Sequence, residues 1–151
     1  MTDKKPLKRD KSLRPLSIDH HHGLLLSWKI RRGIEKEIDP ERISTYARWF
    51  FEQHLAPHFE LEERYVFTVL EPDDELVLRA LEEHEKIRAI ANLSDPFSLS
   101  KFADTLEAHI RFEERVLFEK VQSVATPAQL EQIASIHRDE AFVEQEDQFW
   151  K

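Results

Sequence analysis

The chain has 151 residues, 34% of them charged and 40% hydrophobic, a net charge of −8, only two Gly and no Cys. The length suits one domain with a sizeable core, and the scarcity of Gly argues against a turn-rich all-β fold. Charged and apolar residues mix as in amphipathic helices, and the lack of Cys excludes disulfides, thiolate metal sites, iron–sulfur clusters and cysteine nucleophiles, which fits a cytoplasmic location.

In chain order, residues 1–16 read as a basic N-terminal tail. The first 18 residues carry six Lys or Arg against Asp3 and Asp10, which is +4 and leaves −12 on the rest. Such a segment reads as a solvated leader, and the acidic body argues against nucleic acid as the main partner. No apolar run reaches the roughly 18 residues of a membrane span, and the tail lacks the apolar segment of a secretory signal.

Residues 17–151 read as one helical domain. A first helix starts at Ser17 or Asp19 as cap and carries Leu24, Leu26, Ile30, Ile34 and Ile38 at helical spacing, with Lys29 and Lys36 on its polar side. Asp39-Pro40 ends it and opens a second helix through Phe51, Leu55, Val66 and Val69, in which Pro57 predicts a kink or local break. Asp73 or Asp74 caps a third, with Val77, Leu81, Ile87 and Ala91. Asp95-Pro96 opens a fourth through Phe102, Leu106, Leu117 and Val121. Thr126-Pro127 starts a last one running toward Phe149, with Phe142 among its apolar positions. Short connections make successive helices antiparallel neighbours, so the fold class is all-α: an up-down four-helix bundle with an additional C-terminal helix. Trp28 and Trp49 read as core or its margin.

An internal repeat carries the chemistry. Residues 58–67 and 109–118 share the pattern H-x-x-x-E-E-R-x-x-F, once on the second helix and once on the fourth. Positions i and i+4 lie on one helical face, so the imidazole and carboxylate of each H-x-x-x-E reach the same point. The apolar stripes show that this face is the core: Phe51, Leu55, His58, Glu62, Val66 and Val69 on one helix, and Phe102, Leu106, His109, Glu113 and Val116 on the other. Burying carboxylates without partners costs several kcal/mol, so two buried Glu beside two His point to metal. The third helix places His84 at the centre of its stripe. On the first, His20 falls near the middle of the apolar arc and His21 at its edge, while His22 points to the polar side; His20 is the preferred ligand, with His21 as the alternative. Gly23 and Ser27 on the same arc leave room beside a cluster.

The candidate metal ligands are therefore His20, His58, Glu62, His84, His109 and Glu113. Nitrogen and oxygen donors without thiolate favour iron or manganese over a structural zinc. Two Glu able to bridge suit a dinuclear centre, two iron ions or two manganese ions with an oxo or hydroxo bridge, zinc being a possible substitute. About two coordination positions stay open, for a fifth imidazole, water or O2. His54 and His137 are the further imidazoles to consider, and Glu63 and Glu114, turned off the core face, read as carboxylates that back the ligands or face solvent.

The order H…HxxxE…H…HxxxE, over roughly residues 17–125, resembles the hemerythrin-like (HHE cation-binding) family. The resemblance implies a four-helix bundle with a bridged di-iron centre that binds O2 reversibly or reacts with O2, peroxide or nitric oxide. Two departures point away from stable O2 carriage: the positions four from His84 are Ala80 and Arg88, where oxygen carriers place a second His, and Glu113 stands where they use Asp. The missing Cys-bearing N-terminal segment sets the chain apart from the iron–sulfur repair branch. The leading reading is a protein that binds or senses O2, nitric oxide or iron, with a small diatomic ligand as partner. The alternatives are a di-iron enzyme acting on peroxide, nitric oxide or ferrous iron, and an interaction module whose metal is incidental.

Overall fold

A computed structural model describes residues 8–136 and 141–151. Five helices follow one another: α1 (Arg14–Glu35), α2 (40–69), α3 (Glu75–Ile90), α4 (96–124) and α5 (Pro127–Ile136), and no strand occurs among the described residues. The first four form the bundle. None of the described helices is long and apolar enough to cross a membrane.

The caps lie where the side chains can supply them. Asp39 accepts from the Glu41 N–H at 3.0 Å, Asp74 from Leu76 at 2.8 Å and Asp95 from Ser98 at 3.0 Å, each satisfying a donor that the first turn leaves orphaned. Thr126 and Gln129 exchange side chain for backbone at 3.1 and 2.9 Å, a reciprocal cap on α5. The start of α1 differs from expectation. It begins at Arg14, not at Ser17 or Asp19, because Leu13 and Leu16 are buried against Leu117, Phe118, Val121 and Ile133. Within the expected tail, residues 8–16 thus end in bundle core. At its other end α1 stops at Glu35, with Glu37 left-handed (φ 56°) and the Ile38 N–H bonded to the Gly33 carbonyl at 2.9 Å. Ile38 therefore lies beyond the helix.

Three π-helical turns interrupt the long helices: Phe51–Leu55 and Glu62–Val66 in α2, and Glu113–Leu117 in α4. The first ends two residues before Pro57, so the irregularity expected near that proline takes the form of a widened turn. The other two begin at the Glu of each repeat. A π turn takes one more residue to close than an α turn, so Phe67 and Phe118, five residues after each Glu, are buried beside Val66 and Leu117. Leu117 is buried as its place in the apolar pattern of the fourth helix implies, whereas Val116, expected on the core stripe, is 43% exposed.

Two small residues set the approach of α1 to α4. A Cβ on Gly23 would lie 2.6 Å from Ile110 Cδ1, and the Ser27 hydroxyl donates to the Ala103 carbonyl at 2.9 Å. The space that Gly23 leaves is filled by Ile110, not left open beside the polar cluster. The expected C-terminal helix is described over Pro127–Ile136, and residues 141–151, where it was expected to continue, are a non-helical strap. Side chains hold that strap: Arg42 to Asp147 at 2.6 Å, and buried Lys29 and Tyr46 to Glu144 at 2.7 and 2.5 Å. Phe149 and Trp150 pack on Tyr46. Lys29, expected on the polar side, lies 4.3 Å from the Trp150 ring centroid; Trp28, expected at the core or its margin, is 52% exposed.

Candidate metal centre

The bundle holds two apolar clusters, one including Leu26, Phe59, Ile87, Leu106 and Ile110, the other Leu16, Val66, Ala80, Leu117 and Phe118. On each of the four helices the candidate ligands fall between a residue of one cluster and a residue of the other. Burial follows from that position: His20, His58, Glu62, His84, His109 and Glu113 are all between 0 and 4% exposed.

These six side chains meet as two groups that share both carboxylates: His20, His58, Glu62 and Glu113, and His84, His109, Glu62 and Glu113. Glu62 turns Oε2 toward His58 (3.2 Å) and His20 (3.5 Å) and Oε1 toward His84 (3.2 Å). Glu113 turns Oε1 toward His20 (2.8 Å) and Oε2 toward His109 (3.2 Å) and His84 (3.5 Å). Each carboxylate thus offers one oxygen to each imidazole pair.

The imidazoles are aimed from behind. His20 Nδ1 contacts Glu114 at 2.7 Å, His58 Nδ1 contacts Asp19 at 3.0 Å, His84 Nδ1 contacts Glu63 at 2.6 Å and His109 Nδ1 contacts Glu83 at 2.7 Å. A carboxylate accepts, so each Nδ1 carries the proton and each Nε2 faces the centre. The four contacts close a ring: α1 holds the His of α2, α2 that of α3, α3 that of α4, and α4 that of α1. Each outer carboxylate is the chain neighbour of a candidate ligand.

Sequence reasoning anticipated Glu63 and Glu114 in this role and missed Asp19, read as a cap, and Glu83. The available signal was an acidic residue adjoining a candidate ligand on every helix. His21 is exposed and takes no part. His54 stays apart from the cluster, against Trp49, Phe50 and Phe142. His22, expected on the polar side, is half-buried and stacks on Phe142. His137 lies outside the described residues.

The charges balance only with protons or cations present. Burial alone would lower His58, but the charge of Glu62 and its contacts with Asp19 and Glu62 raise it to about 9. Burial likewise works against His84, which Glu113, Glu62 and Glu63 raise to about 11. His20 and His109 are also raised against burial, His20 chiefly by Glu113 and Glu114 and His109 chiefly by Glu113. Glu62 is pushed up by burial and by Glu113, yet His58 and His20 bring it down to about 2. Glu113 is held well below the usual range, its burial outweighed chiefly by His109. Protonated imidazoles are one way to compensate two buried carboxylates.

A cation fits the same place better. Both Glu62 oxygens, Glu113 Oε2, and the Nε2 atoms of His84 and His109 are buried without a hydrogen-bond partner. Buried polar atoms are seldom left so, because each forfeits its hydration. All five point at one centre, and all belong to nitrogen and oxygen donor types that bind first-row metal ions.

Residues 18–121 match the family model of the hemerythrin HHE cation binding domain. No curated protein and no solved structure matches the chain.

Proposed function

The chain belongs to the hemerythrin HHE cation-binding family, and we propose that it holds two iron ions in its core and uses them to bind or sense O2 or nitric oxide. One observation carries the reading: each of two buried glutamates presents one oxygen to each of two histidine pairs. A carboxylate shared in this way suits two ions side by side. His20 and His58 would hold one and His84 and His109 the other, with Glu62 and Glu113 bridging. When bound, a ferrous pair supplies electrons to a small oxidising ligand.

The protein's own part is orientation and access. The outer carboxylates fix each imidazole with its Nε2 inward, which raises its strength as a donor and limits rotation of the ring. A cavity of about 1100 Å3 opens beside the cluster, and of the six candidate ligands only His20 and His58 line it. A diatomic ligand would reach the cluster from that side. A second reading stands beside the first, because the same opening onto His20 and His58 would admit other small reactants: turnover of peroxide, nitric oxide or ferrous iron at the same centre.

The test is to count metal in protein from iron-supplemented cells and to record its visible spectrum beside the Glu62→Ala, Glu113→Ala double variant. About two irons per chain, with charge-transfer bands lost in the variant, is the result expected of a carboxylate-bridged pair. Little metal, with no difference between the two proteins, would sink the proposal. A stable, reversible spectrum with O2 separates the binding reading from repeated peroxide turnover.

A further inference from the structure

The four outer carboxylates are not equivalent. Glu63 is paired with Arg88 at 2.9 Å and Glu83 with Arg79 at 3.0 Å. Glu114 accepts from the Ser17 hydroxyl at 2.9 Å and has Arg9 3.8 Å away. Asp19 has His58 as its one hydrogen-bond or ion-pair partner among the described residues. Its side chain is also the most exposed of the four, at 38% against 28% for Glu63 and Glu114 and 19% for Glu83, and it lines the cavity.

The inner ligands divide along the same line. His84 is covered by Phe59, with ring centroids 3.8 Å apart, and by Phe67 at 5.4 Å; neither it nor His109 lines the cavity. His20 and His58 do.

We propose that the two ion positions exchange unequally: the His20/His58 position is last to fill and first to empty, and Asp19, acting through His58, sets how long it keeps its ion. This rests on the two-ion reading above. An ion leaves when a ligand ring turns away, and the ring turns more readily when its outer partner is itself free to turn. Glu63 and Glu83 are clamped between an imidazole and a guanidinium, and Arg88 and Arg79 in turn lie over the Phe59 and Phe112 rings. Asp19 can swing into the water of the cavity and release His58, and the same opening admits a competing chelator. Asp19 is thus a positioning residue: it holds His58 and does not touch the ion.

The experiment uses the full chain loaded without oxygen with cobalt(II) alone, then mixed with excess chromogenic chelator. The expected result is two cobalts per chain released in two phases of equal amplitude, about tenfold or more apart in rate. Outer-partner losses in such sites typically cost 10–100-fold in affinity. Asp19→Ala should therefore speed the faster phase about tenfold and leave the slower within twofold. Asp19→Asn, which keeps an acceptor oxygen on the same stem, should restore most of the delay. Glu83→Ala should speed the slower phase only. The visible spectrum of the cobalt lost first should differ between the parent and Asp19→Ala, a change that a mere loss of fold stability would not confine to one ion. Two cobalts leaving in one phase, or an Asp19→Ala effect on both phases or on neither, overturns this inference alone. A parent chain that takes up one cobalt or none overturns the two-ion reading and this inference with it.

Discussion

Phe59 lies flat on His84, with ring centroids 3.8 Å apart and planes inclined by 14°. Arg88 closes the set, sitting 5.6 Å from the Phe59 centroid and hydrogen-bonded to Glu63, the carboxylate behind His84. Phe59 is 1% exposed, so its ring serves both the core and the imidazole. Phe59→Ala should cost about 3–5 kcal/mol in denaturant unfolding of the metal-free chain, and Phe59→Leu clearly less. A cost below about 1 kcal/mol for the alanine variant would contradict a packed ring at this position.

The metal-free chain should be most stable in mild acid. His58 and His84 are raised from 6.5 to about 9 and about 11, so their stabilising contribution is complete below 6.5 and is lost as pH rises through those values. Glu62 is lowered from 4.5 to about 2, so its contribution is present above 4.5 and is lost as pH falls toward 2. Melting of metal-free protein should therefore peak between 4.5 and 6.5 and decline toward alkaline pH. Metal affinity should move the other way, rising with pH as the imidazoles give up competing protons. A metal-free Tm that climbs between 6.5 and 9 would contradict this assignment of charge.

The π turn at Glu113–Leu117 makes neighbouring residues unequal. Leu117→Ala, at a fully buried position, should destabilise by about 2–5 kcal/mol. Val116→Ala, at a position 43% exposed, should stay within about 0.5 kcal/mol of the parent. Equilibrium unfolding of the pair decides it: a loss at Val116 equal to or larger than that at Leu117 would contradict the outward turn of Val116.

Gly33 seats the C-terminal strap. A Cβ there would lie 2.6 and 2.8 Å from Phe149 ring atoms and 2.9 Å from Ile43 Cδ1, and Phe149 is 2% exposed. Gly33→Ala should cost about 1–3 kcal/mol by overpacking, despite the better helix propensity of Ala. Phe149→Ala in the same background should relieve the clash, so the two losses should add to less than their sum in a double-mutant cycle. Simple additivity would mean that the strap does not rest on Gly33.

Much of the site was legible because it is local. The four-residue spacing of His58 to Glu62 and of His109 to Glu113 fixes each pair on one face, and the flanking apolar residues identify that face as the core. His84 and His20 follow from the stripes they occupy, and the Asp-Pro and Thr-Pro pairs mark helix starts whatever packs around them. What misled the periodicity was backbone that departs from 3.6 residues per turn. The π turn at Glu113 turns Val116 outward and Phe118 inward, and the strap took Phe142 and Phe149 out of any helix.

The sequence by itself determined that four bundle helices follow one another in this order and that six His and Glu side chains face their core, since capping and amphipathic spacing are properties of a few consecutive residues. Only the tertiary structure decided that Glu62 and Glu113 each divide their oxygens between two histidine pairs. It also decided that Asp19, Glu63, Glu83 and Glu114 support the imidazoles in a ring from helix to helix, and that Asp19 alone of these faces the cavity without an arginine partner among the described residues. The reason is one of range. Apart from the two four-residue His–Glu pairs, those relations join side chains on different helices, between 21 and 94 residues apart for the ring contacts, and their distances depend on how far and at what rotation the helices dock, which side chains such as Ile110 at Gly23 fix by packing.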